Sequence, residues 1–164
     1  MMRSPRCLLA ALVLCLSGCG YHLGTDATPP FTSIIVEPIR NESYAPQLQA
    51  EMHRQLADSL AQEKSLHVVT EGGQAHLRVT LVDYRRDVAA VDPNDTVRAA
   101  SYNMTLVAKV TLETSDKVLF KDRLFTAVLP AFGGVGYNRT ETQTLPLLSR
   151  ELSKRIKDAV VDVW

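Results

Sequence analysis

The chain is poor in cysteine, in long apolar runs and in excess charge of either sign. Of its 164 residues only three are cysteines, Cys7, Cys15 and Cys19, all near the start. No disulfide can therefore close within the chain beyond Cys19. The run from Cys7 to Leu16 is uninterruptedly apolar, but it is shorter than the roughly 18–20 residues that a bilayer-spanning helix requires, and no later stretch reaches that length. Lys and Arg number 18 against 18 Asp and Glu, which argues against bulk nucleic-acid binding. The four histidines, His22, His53, His67 and His76, never stand two to four residues apart, so zinc-ligand spacing is absent. There is no Gly-x-Ser-x-Gly elbow for a nucleophilic serine. Gly133-Gly134-Val135-Gly136 lacks the Lys-Ser or Lys-Thr pair of a phosphate-cradling loop and reads as a plain turn. No enzymatic activity, metal or cofactor is expected.

What is present begins at the N-terminus. Arg3 and Arg6 form a short basic segment, the apolar run follows, and Leu16-Ser17-Gly18-Cys19 closes it. These are the parts of a secretory signal, and their last four residues form the lipobox of bacterial lipoproteins. Residues 1–18 are thus expected to be removed as a signal peptide, and Cys19 to carry lipid. One acyl chain holds a protein only marginally at about 0.8 kcal/mol per buried methylene, so the two or three chains of a lipidated cysteine make a lasting membrane anchor. Gly20 follows the cysteine, where an Asp would favour retention in the inner membrane; the outer membrane is the expected location. Without Arg3 and Arg6 the chain carries 16 basic and 18 acidic side chains, a net of −2. Residues 19–32, with Gly20, Gly24, Pro29 and Pro30, read as a lipidated tether.

Residues 33–164 are expected to form one domain. Thr32 to Ile39 is β-rich and is stopped by Pro38 and the polar Arg40-Asn41-Glu42-Ser43. Leu48, Met52, Leu56 and Leu60 recur every fourth residue, which predicts a helix over 46–63 with Pro46 in its first turn. Leu66 to Val69 is a short strand closed by Gly72-Gly73. Leu77, Val79 and Leu81 alternate with polar residues; the parity then shifts to Val82 and Tyr84, which predicts a bulge or a two-faced strand. Residues 87–99 read as a polar connection around Asp92-Pro93-Asn94-Asp95. Tyr102, Met104, Leu106, Ala108, Val110 and Leu112 face one way along the next strand, and Val118 to Ala127 returns beside it. A glycine-rich loop over 130–137 precedes a second helix over 141–163, with Pro146 in or near its first turn and a stripe of Leu145, Leu148, Leu152, Ile156, Ala159, Val160 and Val163. The expected fold is α+β. It has two layers, with two amphipathic helices on one face of a four- to five-stranded mixed sheet, and a right-handed crossover joins its first parallel strands.

Basic residues gather on the long strands: Arg78, Arg85, Arg86 and Arg98, then Lys109, Lys117, Lys121 and Arg123. Such a face suits phosphates through charge-assisted hydrogen bonds, although acidic neighbours such as Asp83, Asp87 and Glu113 also fit an ordinary solvated surface.

Cys19-Gly20-Tyr21-His22-Leu23 resembles the mature start of the lipopolysaccharide-assembly lipoprotein family LptE. Ile34-Ile35-Val36-Glu37-Pro38-Ile39, the amphipathic helix after it, and Ser101-Tyr102-Asn103-Met104-Thr105-Leu106 are similar to that family as well. Gly24 departs from it, since many members carry a basic residue there. The resemblance implies a non-enzymatic outer-membrane protein that sits as a plug inside the LptD β-barrel, helps that barrel fold and helps deliver lipopolysaccharide to the cell surface. It also implies that lipopolysaccharide meets basic side chains at one end of the sheet, which here points to Arg98 and Arg139. Arg85 and Arg86 are added on charge. The alternative is a periplasm-facing interaction module, such as a peptidoglycan-synthase activator or a secretion-pore accessory, because an Ile-x-Val-x-Pro strand before a helix occurs there too. The lipobox carries its own prediction. Cys19→Ser abolishes palmitate labelling and removes the chain from the outer-membrane fraction; retained labelling would contradict it.

Overall fold

The computed structural model describes residues 30–45, 48–92, 95–132 and 137–163. These form β1 (Ser33–Val36), β2 (Arg40–Asn41), α1 (Leu48–Ala61), β3 (His67–Val68), β4 (Ala75–Asp92), β5 (Asp95–Thr114), β6 (Val118–Phe132) and α2 (Tyr137–Val161). The signal peptide, Cys19 and most of the tether lie outside the described residues. Two helices pack on a mixed sheet in two layers, as the periodicities predict. β1 is parallel to both β3 and β4, while β4, β5 and β6 form an antiparallel meander.

The sheet has six strands, not four or five: β3-β1-β4-β5-β6 in order, with β2 beside β4. The added strand lies where the sequence reads as a polar stop. Arg40 and Asn41 pair with Thr80 and Leu81, so the backbone, not apolar side chains, makes this strand. Asn41 then shapes the turn into α1. Its Oδ1 accepts from Ser43 N at 3.0 Å and Ser43 Oγ at 2.7 Å, and its Nδ2 donates to Ala45 O at 2.7 Å, the Asx-turn chemistry of short polar side chains.

The core lies between the layers. Leu48, Met52, Leu56 and Leu60 of α1 and Leu148, Leu152, Ile156 and Val160 of α2 are buried against Leu77, Val79 and Leu81 of β4 and Met104 to Leu112 of β5. Gly72-Gly73 lets β4 start beside β1. Gly72 has φ 67°, and a Cβ on Gly73 would stand 2.6 Å from Ile35 Cγ1, so both positions favour glycine.

The largest departures concern the long strands. The predicted bulge is present: Leu81 pairs with Ala108 and Asp83 with Val107, leaving Val82 as the extra residue. Residues 87–99, however, are not a connection. β4 continues to Asp92 and β5 begins at Asp95. At about 3.3 Å per residue, the 18-residue β4 spans roughly 55–60 Å. Its last part outruns the helix layer, and every residue from Arg85 to Val91 is exposed. Polarity here marks a solvated ribbon whose backbone groups are satisfied by pairing, and the equation of polar with loop fails. The glycine-rich loop is likewise shorter than 130–137. β6 runs to Phe132, past the expected Ala127, and α2 starts at Tyr137 rather than Glu141. Residues 133–136 lie outside the described residues. Pro146 consequently stands inside α2, beyond its first turn, and its carbonyl oxygen accepts from Gln55 Nε2 of α1 at 3.1 Å.

Leu56 is fully buried, whereas Tyr44 is 96% exposed. Leu56→Ala is expected to cost about 2–5 kcal/mol and Tyr44→Ala less than about 0.5 kcal/mol, measured by urea unfolding. Equal losses would contradict this placement of the core.

Candidate functional site

Past the bulge, β4 shows different chemistry on its two faces. Tyr84, Arg86 and Val88 stand opposite Leu106, Met104 and Tyr102 and share the helix-side face. Asp83, Arg85 and Asp87 fall on the other. Arg85 Nη1 donates to Asp83 Oδ2 at 2.9 Å and Arg85 Nε to Asp87 Oδ2 at 3.2 Å. These are exposed pairs, worth about 0–1 kcal/mol each, so Arg85 is loosely held. Arg86 is bound differently. Its Nη1 donates to Glu141 Oε2 of α2 at 2.8 Å, and the Tyr84 hydroxyl donates to Glu141 Oε1 at 2.6 Å.

Arg98 lies on β5 beside Ala99, the partner of Val91, and Arg139 lies in the first turn of α2. Both side chains fall outside the described part. By backbone position the four arginines all belong to the end of the molecule where the hairpin outruns the helices. Arg85 and Arg86 nevertheless occupy opposite faces, so the four do not share a single flat surface. Tyr84 and Glu141 are absent from the sequence-based candidates. The parity shift at Val82 already places Tyr84 and Arg86 on the helix side, but their contact to Glu141, 57 and 55 residues away, has no periodic signal.

The remaining basic residues disperse. Arg78 on the open face donates to Glu37 Oε2 at 3.1 Å and Glu113 Oε1 at 3.0 Å. The hydrogen bond to Glu37 and then that to Glu113 hold its guanidinium above its ordinary range. A shallow cavity of about 360 Å³ nearby is lined by Arg40, Lys109 and Lys121, but also by Glu42, Glu113 and Asp122. Arg123 lies over Phe120 and Phe125, 5.8 and 5.2 Å from their ring centres, a cation–π arrangement. A groove of about 610 Å³ between the helices also mixes signs, with Arg54, Arg150 and Lys154 beside Asp58 and Glu63. There the hydrogen bond from Arg54 keeps the Glu51 carboxyl below its ordinary range. None of these surfaces is uniformly cationic. Among the described residues no cluster of His, Cys, Asp and Glu suits a metal, and no helix is long and apolar enough to cross a membrane.

The family model described as LptE, lipopolysaccharide-assembly, matches residues 31–162, which is the whole of the two-layer domain. The chain belongs to the LptE family. Its fold is similar to that of the hypothetical protein CT253 from Chlamydia trachomatis (TM-score 0.54, 10% identity, covering 79% of this chain and 98% of that one). It is also similar to a minor lipoprotein from Acinetobacter baumannii (TM-score 0.54, 11% identity, 79% and 92%). A third likeness is to the rare lipoprotein B from Shewanella oneidensis (TM-score 0.51, 12% identity, 76% and 93%). At such identities the likeness shows the fold alone. No curated protein matches the chain. Membership in the LptE family assigns the chain to lipopolysaccharide assembly and fits a membrane-anchored lipoprotein of the cell envelope.

Proposed function

We propose that this lipoprotein is held by lipid on Cys19 at the periplasmic side of the outer membrane, seats as a plug inside an LptD-type β-barrel, assists the folding of that barrel and takes part in delivering lipopolysaccharide to the cell surface. The observation that carries this reading is the family match over residues 31–162. The shape of the domain supports it. A hairpin that projects beyond its own core fits an enclosing partner. Val88 and Val91 are exposed on this hairpin, and Leu124, Val128 and Phe132 are exposed along β6. Leu124, Val128 and Phe132, opposite Lys109, Thr105 and Ser101, share the open face of the sheet, and an exposed apolar row of this kind suits a surface that another molecule covers.

In this reading Arg98 and Arg139 hold the phosphate-bearing lipid, with Arg85 and Arg86 contributing. A guanidinium presents paired N–H donors to a phosphate, and a barrel that excludes water lowers the dielectric and strengthens each contact. Arg85 is the less committed of the second pair, because its carboxylate partners are exposed and exchangeable, whereas Arg86 is engaged by Glu141.

Gentle detergent extraction of the intact lipoprotein is expected to recover a large outer-membrane β-barrel as a stable partner. Recovery of a cell-wall synthase without any barrel would overturn the reading in favour of an interaction module. In purified protein, Arg98→Glu combined with Arg139→Glu is expected to weaken lipopolysaccharide binding by about tenfold or more, since hydrogen bonds to charged groups contribute about 1.5–3 kcal/mol each. Unchanged binding would remove these two positions from the site.

A further inference from the structure

The carboxylate of Glu141 has both oxygens engaged by the hairpin: Oε1 by the Tyr84 hydroxyl at 2.6 Å and Oε2 by Arg86 Nη1 at 2.8 Å. Its side chain is only 18% exposed, against 43% for Arg86. The site is therefore partly shielded, and charge-assisted hydrogen bonds gain strength there. Tyr84 and Arg86 sit on the same face of β4, one after the other beyond the bulge, opposite Leu106 and Met104. The bulge creates this arrangement, because without the extra residue Val82 both side chains would point to the open face. The contact ties the start of α2 to the ribbon beyond the core. Arg139 is two residues before Glu141 on α2. Arg98 is six residues beyond Met104, the partner of Arg86, towards the hairpin tip. Glu141 thus ties the helix start that carries Arg139 to the β4–β5 ribbon that carries Arg98, two segments separated by some forty residues of chain.

We infer that Glu141 is a positioning residue: by clamping Tyr84 and Arg86 it fixes the first turn of α2 against the projecting hairpin, so that the segments carrying Arg139 and Arg98 present one anion-binding surface. This rests on the proposed role of those two arginines. Glu141 also bears the charge of an anionic ligand, and as a mere competitor for Arg86 it would act in the opposite direction. The sign of its removal therefore separates positioning from competition.

The test uses the lipidated full-length protein in detergent, with Glu141→Gln, Tyr84→Phe, and the charge swap Arg86→Glu with Glu141→Arg. Without ligand, Glu141→Gln is expected to speed amide hydrogen exchange about tenfold at residues 84–88 and 141–145, as the loss of a charge-assisted bond predicts, while residues 48–61 of α1 stay as before. With lipopolysaccharide as the probe, the same variant is expected to bind roughly three- to tenfold more weakly. Tyr84→Phe is expected to show a smaller loss, and the swap to recover part of the affinity lost in Glu141→Gln. Unchanged exchange in Glu141→Gln overturns the clamp. Tighter lipopolysaccharide binding by that variant overturns positioning in favour of competition. Unchanged binding by the Arg98→Glu, Arg139→Glu double variant overturns the role of the arginines, and the positioning of a ligand surface with it, even where the exchange response shows that the clamp exists.

Discussion

β4 and β5 pair from Ala75–Thr114 at one end to Asp92–Asp95 at the other, and that ribbon sets the position of every other element. Its lower half supplies the middle of the sheet. There the helix-side residues Leu77, Val79 and Leu81 face Leu112, Val110 and Ala108, and both helices close over them. β1 and β2 dock in parallel along the free side of β4, while β6 follows β5. The upper half reaches past the helix layer, which touches it through Glu141 at Tyr84 and Arg86, and it is held by backbone pairing and side-chain ties. One strand pair thus builds a packed core and also a projecting arm. The single extra residue at Val82 re-aims the side chains beyond it, while the core continues past it to Leu106 and Met104.

Where side-chain periodicity meets burial, the fold is readable from residues alone. The fourfold spacing of Leu48, Met52, Leu56 and Leu60 places α1. The alternation from Met104 to Leu112 fixes the buried face of β5, and all of those apolar residues are buried. The parity break after Leu81 announces the bulge. Periodicity is silent where backbone pairing alone makes the structure. Arg40-Asn41 is a strand because Thr80 and Leu81 offer it hydrogen bonds, and residues 87–92 are strand because they pair along β5 between Asp95 and Asn103. Arg40-Asn41 has no apolar side chain to signal it, and Val88-Ala89-Ala90-Val91 is apolar without alternation. Pro146 misleads for a related reason. It is favoured in a first turn, yet α2 extends further back towards the hairpin, and the Pro146 carbonyl is used by Gln55.

The candidate site divides in the same way. Cys19 and the run before it carry a local sequence pattern for lipidation and lie outside the described residues. The arginines can be nominated from charge and family resemblance, but their surroundings cannot. Arg85 bridges two aspartates of its own strand, while Arg86, its immediate neighbour, is held by a glutamate 55 residues away. Strand alternation sends adjacent residues to opposite faces, so two arginines side by side in sequence acquire unlike roles. The other cations illustrate the same point: Arg78 serves a pair of glutamates, Arg123 lies on two phenylalanine rings, and Arg155 donates to the Thr126 carbonyl of the edge strand at 2.8 Å. Arg78 and Arg123 are thus engaged within the sheet, away from the projecting end.

In the proposed function this end, rather than the opposite end near the Thr114–Lys117 turn, meets lipopolysaccharide. Site-specific photocrosslinking in living cells tests it most directly, with a photoreactive residue placed in turn at positions 98, 139 and 116. Lipopolysaccharide adducts are expected from 98 and 139 and none from 116. Adducts from 116 with none from 98 or 139 would contradict it.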